Sequence, residues 1–121
     1  MGEGWETRRR QGRPFDQRPD WILLRLGAPG EVALVEVDTN HFKGNFPDRC
    51  ALDVIDAPGA RIAELLASEA WVRALPQQKL RGHERHFFRS ELRPSGRATH
   101  VRLWIFPDGG VSRLRVYGRR S

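Results

Sequence analysis

The stretch ATHVRLWIFPDGGVSRLRVYG, residues 98–118, decides the fold class of this chain. Val101 and Leu103 alternate with polar or larger side chains. Because successive side chains of a strand point to opposite faces, this period of two predicts a half-buried strand. The turn-forming residues PDGG at 107–110 follow, and a return strand is expected over 112–118. The stretch therefore predicts a β-hairpin with one aliphatic face and one polar face.

The polar face of this predicted hairpin carries His100, Arg102, Arg113 and Arg115. Three guanidinium groups side by side repel one another, so the face needs anionic partners. Those partners are either acidic side chains of the protein or an anionic ligand. Arginine suits both, because its planar fork binds carboxylates and phosphates through paired hydrogen bonds.

Composition narrows the class of protein. The 121 residues suffice for one domain with a modest core, and the net charge of +6 comes mostly from arginines spread along the chain. Spread-out charge weakens the case for a nucleic-acid partner. Cys50 is the single cysteine, which predicts a reducing compartment, and no apolar run approaches the roughly 20 residues of a membrane span. We therefore expect a cytoplasmic protein with neither a nucleic-acid nor a membrane partner.

Two further strands are expected at 21–26 and 32–38, on either side of a turn at 28–30. On the second strand, Glu36 and Asp38 share the face opposite the apolar side chains. Two carboxylates this close repel each other unless cations lie between them, and the hairpin offers arginines. Two interpretations stay open: a lattice of ion pairs on a solvated sheet face, or a pair of catalytic carboxylates.

The loop at 39–48 is dense in hydrogen-bonding groups. Glycine, proline and two asparagines break regular structure there, while two phenylalanines can pin the loop to the core. A loop anchored in this way holds His41, Lys43 and Asn45 in fixed positions. Such loops often carry functional sites.

The remaining segments predict a short strand at 50–55 and a helix, or helical turns, within 61–73 that ends before Pro76. Many short strands separated by turn residues, with at most one short helix, indicate an all-β chain folded as a β-sandwich.

Motifs for several chemistries are missing from the sequence. His83 and His86 stand three apart, which suits one face of a helix but not of a strand, so a zinc site is not expected. The chain has no glycine-rich phosphate loop, no serine nucleophile elbow and no paired CxxC motif.

A set of segments recurs in a fixed order over nearly the whole chain. They are GWETRRR at 4–10, DW and LG within 20–27, EVDT at 36–39, HFKGN at 41–45, His83 with RHFF at 85–88, and THVRL through FPDGGVSRLR within 99–115. Together these segments resemble the allantoicase repeat family. The family enzyme is an allantoate amidinohydrolase of purine breakdown, which converts allantoate and water to ureidoglycolate and urea.

The resemblance implies a jelly-roll β-sandwich of the galactose-binding-domain-like type, with residues 1–19 as a loop or arm and 20–118 as the sandwich. HFKGN and RHFF are similar to the second of two tandem repeats, so residues 1–121 are expected to be one N-terminally truncated repeat. It also implies a hydrolase that acts on allantoate and is partnered by the first repeat or by another copy of itself.

The chemistry of allantoate selects candidate site residues. Its carboxylate calls for arginine, and its two ureido groups call for amide-type or cationic partners. Urea leaves only if its nitrogen is protonated, so a general acid and a general base are required, and histidine titrates in the right range. We expect catalytic roles for His41, His86, His100, Glu36 and Asp38, and substrate contacts from Arg9, Lys43, Asn45, Arg102 and Arg113.

These assignments require imidazoles, acids and arginines to converge around one cavity. No cofactor is expected and no residue is assigned as a metal ligand, although a divalent metal stays open. The alternative function is a non-catalytic jelly-roll module that binds a small anionic ureide or an acidic sugar. A nucleic-acid binder, motivated only by the positive charge, ranks third.

Overall fold

The structure, a computed structural model, describes residues 5–6, 20–42, 44, 46–107 and 109–120. Its elements are β1 (Trp5–Glu6), β2 (Asp20–Asp38), β3 (Arg49–Ile55), α1 (Ile62–Ala67), β4 (Val72–Lys79), β5 (Arg85–Phe88), β6 (Arg97–Phe106), β7 (Gly110–Val111) and β8 (Arg113–Arg120). Strands dominate and the one helix of the described ranges is short, so the predicted all-β fold class is confirmed. No helix in these ranges has the length and apolarity needed to cross a bilayer.

The long strand β2 connects two halves of a curled sheet. Its first part, from Asp20 to Arg25, pairs antiparallel with β6, and its last part, from Val35 to Asp38, pairs with both β5 and β8. At Gly30, β2 meets β6 and β8 at once. One half of the sheet therefore runs β4-β3-β6-β2, and the other runs β5-β2-β8.

The predicted hairpin at 98–118 is wrong. Both strands form, but β6 lies between β2 and β3, and β8 pairs with β2. The residues between them include β7, which pairs with β1 inside the expected N-terminal arm. The turn residues at 107–110 would allow the chain to reverse into a hairpin. Instead β6 pairs with the distant strands β2 and β3, and such long-range pairing overrides the local preference for a hairpin.

The predicted turn at 28–30 is also wrong. The chain continues there as strand, with a register irregularity between Arg25 and Gly30. An irregularity of this kind bends a strand and increases its twist, which lets β2 pass from one half of the sheet to the other. Proline and glycine therefore mark a bend here and not a reversal.

The helical pattern at 61–73 is only partly realised. α1 covers Ile62–Ala67, and a strand that the sequence did not predict, β4, begins at Val72 and contains Pro76. β4 lies at the end of the sheet order, where a proline removes no bond from an inner ladder. Burial of Ala74 and Leu75 holds this strand against β3.

One buried cluster forms the core and draws on both halves of the sheet. Its fully buried members include Val35 and Val37 from β2, Leu52 from β3, Leu103 from β6 and Leu114 from β8. Cys50 also belongs to this cluster, and burial raises the pKa of its thiol to about 12. The alternating apolar residues that predicted β6 therefore do face the core.

The passage of β2 between β6 and β8 makes Gly30 intolerant of a side chain. A Cβ at Gly30 would collide with the backbone carbonyl of Arg119, whereas a Cβ at Gly27 would meet nothing within 4 Å. We expect Gly30→Ala to lower the free energy of unfolding by about 1–3 kcal/mol, because a backbone contact cannot rotate away. The matched variant Gly27→Ala should change it by less than about 0.5 kcal/mol. Urea denaturation of the two variants measures both values, and equal effects would contradict the close approach of β8 to β2.

Candidate active site

The structure separates the described site candidates into two regions of the sheet, and their assignment to one shared site stays a prediction. His100 pairs with Arg25 on the first part of β2, and His86 pairs with Val37 on the last part. Arg25 and Glu36 stand eleven positions apart on β2, and a strand rises about 3.3 Å per residue, so roughly 36 Å of strand length separates the two regions. Arg9, Lys43 and Asn45 lie outside the described residues.

Glu36 belongs to the region at the end of β2, where two arginines hold its buried carboxylate. Arg85 donates from Nε to Glu36 Oε2 at 2.9 Å, and a guanidinium nitrogen of Arg115 lies 3.6 Å from Oε1. Arg85 also stacks over the ring of Phe87 at 5.2 Å. Because arginines bind both carboxylate oxygens, the geometry favours the ion-pair interpretation over the catalytic one.

Asp38 holds the start of the following loop. Its Oδ1 accepts a hydrogen bond from the Asn40 backbone N–H at 2.8 Å, and its carbonyl accepts hydrogen bonds from the N–H and hydroxyl of Ser112. Arg113 stands opposite Asp38 in the ladder between β2 and β8 and is exposed. The carboxylate thus performs a local structural task.

His86 is buried with hydrogen bonds at both ring nitrogens. Nδ1 lies 3.0 Å from the Val37 carbonyl oxygen, and Nε2 accepts the Arg81 backbone N–H at 2.9 Å. A carbonyl can only accept, so the network assigns the proton to Nδ1 and leaves a neutral ring. Taking up or giving away a proton at His86 would break one of these two hydrogen bonds. This geometry therefore favours a structural role for His86 over a catalytic one.

His41 lies in the loop after β2 and is exposed. Its backbone, at a φ of 74°, donates from N–H to Nδ1 of His83 at 3.0 Å, and the two rings meet edge to face at 6.1 Å. The Thr39 hydroxyl holds the same two segments together through the carbonyls of Arg81 and Glu84. His83 is therefore a loop partner that sequence spacing alone did not reveal.

Arg102 is enclosed by aromatic rings on the first half of the sheet. Its guanidinium lies 4.4 Å from the Trp71 ring centre and 4.8 Å from that of Trp104, and one of its nitrogens is 3.4 Å from Asp53. Trp104 donates its indole N–H to the same carboxylate at 2.7 Å. Asp53 therefore competes with a substrate carboxylate for one nitrogen of this guanidinium, and the predicted binding role of Arg102 stays a prediction.

His100 lines a cavity at the bend in β2. The cavity has a volume of about 380 Å³, within the range of small-molecule sites. Its wall consists of Arg25, Leu26, Gly27, Pro29, Pro58, Gly59, Thr99 and His100. A guanidinium and an imidazole side by side can bind an anion and move a proton.

Two of these wall residues, Arg25 and Thr99, were not selected from the sequence. In the sequence, Arg25 is an ordinary outward-facing residue of a predicted strand. Only the pairing of β2 with β6 places it opposite His100. Thr99 approaches His100 Nδ1 to 2.9 Å through its hydroxyl. Burial, and secondly the neighbouring charge of Arg25, lower the pKa of His100, so its imidazole is held neutral.

A neighbouring cavity of about 440 Å³ lies on the other side of the bend in β2, against Arg119 and Arg120 at the end of β8. No histidine lines it. Within the described residues, no group of three or more histidine, cysteine, aspartate or glutamate side chains has the arrangement of a metal site. Of these two cavities, the one at His100 has both an acid–base group, His100, and an anion-binding group, Arg25.

Comparison with known proteins decides the family. Residues 1–121, the whole chain, match the model of the allantoicase repeat. This chain belongs to the allantoicase repeat family. The resemblance seen in the sequence is confirmed, and with it the jelly-roll class of fold.

Individual relatives give the same result. The chain is 50% identical over 117 residues to the allantoicase of Dictyostelium discoideum, covering 96% of the chain and 31% of that protein. It is 50% identical over 124 residues to a probable allantoicase of Rhizobium meliloti, covering 98% of the chain and 35% of that protein. The chain thus spans about a third of the length of the curated relatives it matches.

Solved structures agree with this assignment. The crystal structure of allantoicase from Saccharomyces cerevisiae superposes with a TM-score of 0.72 at 34% identity, over 96% of this chain and 31% of that one. The C-terminal domain of a chitobiase from Bacteroides fragilis superposes with a TM-score of 0.67 at 14% identity, over 96% of this chain and 72% of that one. The second likeness concerns the fold alone.

The buried carboxylate of Glu36 joins β2 to arginines of β5 and β8. We expect Glu36→Gln to lower the free energy of unfolding by about 1–3 kcal/mol, because the buried amide group would turn an N–H donor towards the donors of one of the two arginines. Asp48→Asn is the matched control, since Asp48 is an exposed carboxylate that binds Lys79 and Arg49 at the surface. Chemical denaturation should show a lowered midpoint for Glu36→Gln and no measurable change for Asp48→Asn. Equal stabilities of Glu36→Gln and the unmodified chain would contradict the structural role of Glu36.

The lowered pKa of His100 links stability to pH. Because the fold favours the neutral ring, this stabilisation is fully present above the unfolded pKa of about 6.5 and is lost as pH falls through the folded pKa. We expect Arg25→Gln to raise the pKa of His100 part of the way, since burial remains, whereas Arg61→Gln, an exposed arginine beside α1, should leave it unchanged. Titration of the imidazole signals by NMR measures both, and an unchanged His100 titration in Arg25→Gln would show that Arg25 exerts no such effect.

Proposed function

We propose that this chain forms part of an allantoicase, which hydrolyses allantoate to ureidoglycolate and urea in allantoin and purine catabolism. The observation that carries the proposal is the family match over all 121 residues, together with 50% identity to an allantoicase. The relatives are about three times as long as this chain. A first repeat or a second copy of the chain as partner is therefore part of the proposal, as is a cytoplasmic location.

The His100 cavity is the part of the described chain that best suits an anionic ureide. Arg25 supplies a guanidinium for the carboxylate of allantoate, because it lines the cavity beside His100, whereas the sequence candidate Arg102 contacts Asp53 on another part of the sheet. The ureido groups would then face the bent segment of β2, which forms part of the cavity wall. Lys43, Asn45 and Arg9 stay predictions from the chemistry of the substrate.

A single group can satisfy the proton balance of the reaction if it first accepts a proton as general base and then donates it as general acid. Water forms a C–O bond to the central carbon of allantoate while the C–N bond to one ureido group breaks. One hydrogen of the water stays in the new hydroxyl, and the other must reach the departing nitrogen. A neutral imidazole at His100 can accept the proton from water and pass it to that nitrogen, so a single histidine closes the balance.

The region at the end of β2 takes a different part in this proposal. Glu36 and His86 have full sets of internal partners, so they support the sheet. His41, Asp38 and Arg113 lie near the loop and strand ends of the same region. If a partner repeat packs there, the exposed side chains of His41 and Arg113 meet the partner and not the substrate of the His100 cavity, while the buried Asp38 stays within the protein.

Urea release from allantoate tests the proposal. We expect His100→Asn to lower kcat by at least about tenfold, which corresponds to roughly 1.4 kcal/mol of barrier. Arg25→Gln should raise KM, because the carboxylate loses its guanidinium, while Arg61→Gln should leave both constants unchanged. Thermal unfolding confirms that each variant is folded.

Two outcomes would overturn the enzymatic proposal. The absence of urea release from the purified chain, with and without an added first repeat, would exclude catalysis by this chain. A shift of the melting temperature by allantoate without turnover would instead support the alternative, a non-catalytic module that binds a small anionic ureide.

A further inference from the structure

We infer that Thr99 is a positioning residue that fixes the tautomer of His100, holding the ring proton on Nδ1 and leaving Nε2 as the proton acceptor. Its catalytic consequence rests on the proposed function, whereas the tautomer itself does not. The inference comes from the hydrogen bonds around a single buried hydroxyl.

The Thr99 hydroxyl has three close polar neighbours. Its Oγ1 lies 2.8 Å from the Ala57 backbone nitrogen, 3.2 Å from the Ile55 carbonyl oxygen and 2.9 Å from Nδ1 of His100. A hydroxyl donates one hydrogen and accepts through two lone pairs. A count of donors and acceptors therefore shows which assignment gives all three neighbours a hydrogen bond.

The count assigns the proton of His100. The Ala57 N–H can only donate, so it uses one lone pair of Oγ1, and the Ile55 carbonyl can only accept, so it takes the single hydroxyl hydrogen. The remaining lone pair can bind His100 only if Nδ1 carries a proton. The opposite assignment would turn the hydroxyl hydrogen towards Nδ1 and leave Thr99 Oγ1 and Ile55 O, two acceptor oxygens, 3.2 Å apart without a hydrogen between them, so the first assignment satisfies more of the polar groups.

Burial keeps this arrangement in place. Thr99 and His100 are only 7% and 6% exposed, so water does not readily replace the hydroxyl as partner of Nδ1. Among the described residues, Nε2 of His100 has no hydrogen-bond partner. A neutral ring with its proton on Nδ1 therefore presents Nε2 as the atom able to take a proton from water.

Thr99 also ties together the two walls of the cavity. On β6 it stands between His100, which pairs with Arg25, and Ala98, which pairs with Gly30, so the bent segment 26–29 of β2 lies opposite it. Through Ala57 it holds the loop that carries Pro58 and Gly59 on the other wall. The same hydroxyl thus orients the imidazole and fixes the shape of the space next to it.

The first test measures the tautomer directly in the folded chain without substrate. Long-range ¹H–¹⁵N NMR of labelled protein distinguishes the two neutral tautomers, and the signal missing in His100→Asn identifies His100. We expect the proton on Nδ1. A proton on Nε2, or a mixture of both tautomers, would overturn the inference without any variant of Thr99 having to fold.

The second test uses Thr99→Val and Thr99→Ser. Valine keeps the shape but removes the hydroxyl, so we expect a mixture of tautomers, a shifted acid limb of the pH profile and a kcat at least about tenfold lower, with KM changed much less. Serine restores the hydroxyl and should restore the tautomer and most of kcat. An unchanged tautomer in Thr99→Val would contradict the inference.

The two proposals fail in different ways. Nδ1 protonation in a chain that releases no urea would refute the allantoicase proposal and leave the tautomer assignment intact. Urea release by a chain with its His100 proton on Nε2 would do the reverse.

Discussion

The fold depends on one constraint, which is that β2 must serve two sets of partners. Its first part completes the ladder with β6, and its last part lies between β5 and β8. At Gly30 both neighbours are present and β8 comes so close that no side chain fits. The bend just before this point allows a single strand to close both halves of the sheet around one core.

The bend also separates the polar residues into two groups with different roles. Beyond it, Glu36 and His86 are buried and their hydrogen-bonding capacity is used within the protein. Before it, the irregular segment of β2 opens a cavity against His100. Where β2 pairs regularly, its polar neighbours are hydrogen-bonded within the protein. Where β2 is irregular, the imidazole of His100 borders a cavity, so a catalytic site is expected at the irregular segment.

Several features could be predicted from sequence because they are local. The alternation in β6 predicted which of its side chains face the core, and Leu103 and Ile105 do so. The identity of strand partners could not be predicted in this way, because periodicity reports the buried face of a strand and not the neighbour at its edge. β4 could not be predicted either. Its sequence contains a proline and follows a helical pattern, and only its packing against the distant strand β3 makes it a strand.

The sequence by itself determined the all-β class, the membership of the allantoicase repeat family and the candidacy of His100. Short contiguous segments and alternating side chains carry that information. Only the tertiary structure decided that Arg25 and Thr99 lie beside His100, and that both ring nitrogens of His86 have hydrogen-bond partners within the protein. The physical reason is that the chemistry of a titratable side chain depends on the groups packed around it, and a long-range contact such as the bond from Ala57 to Thr99 joins residues 42 positions apart.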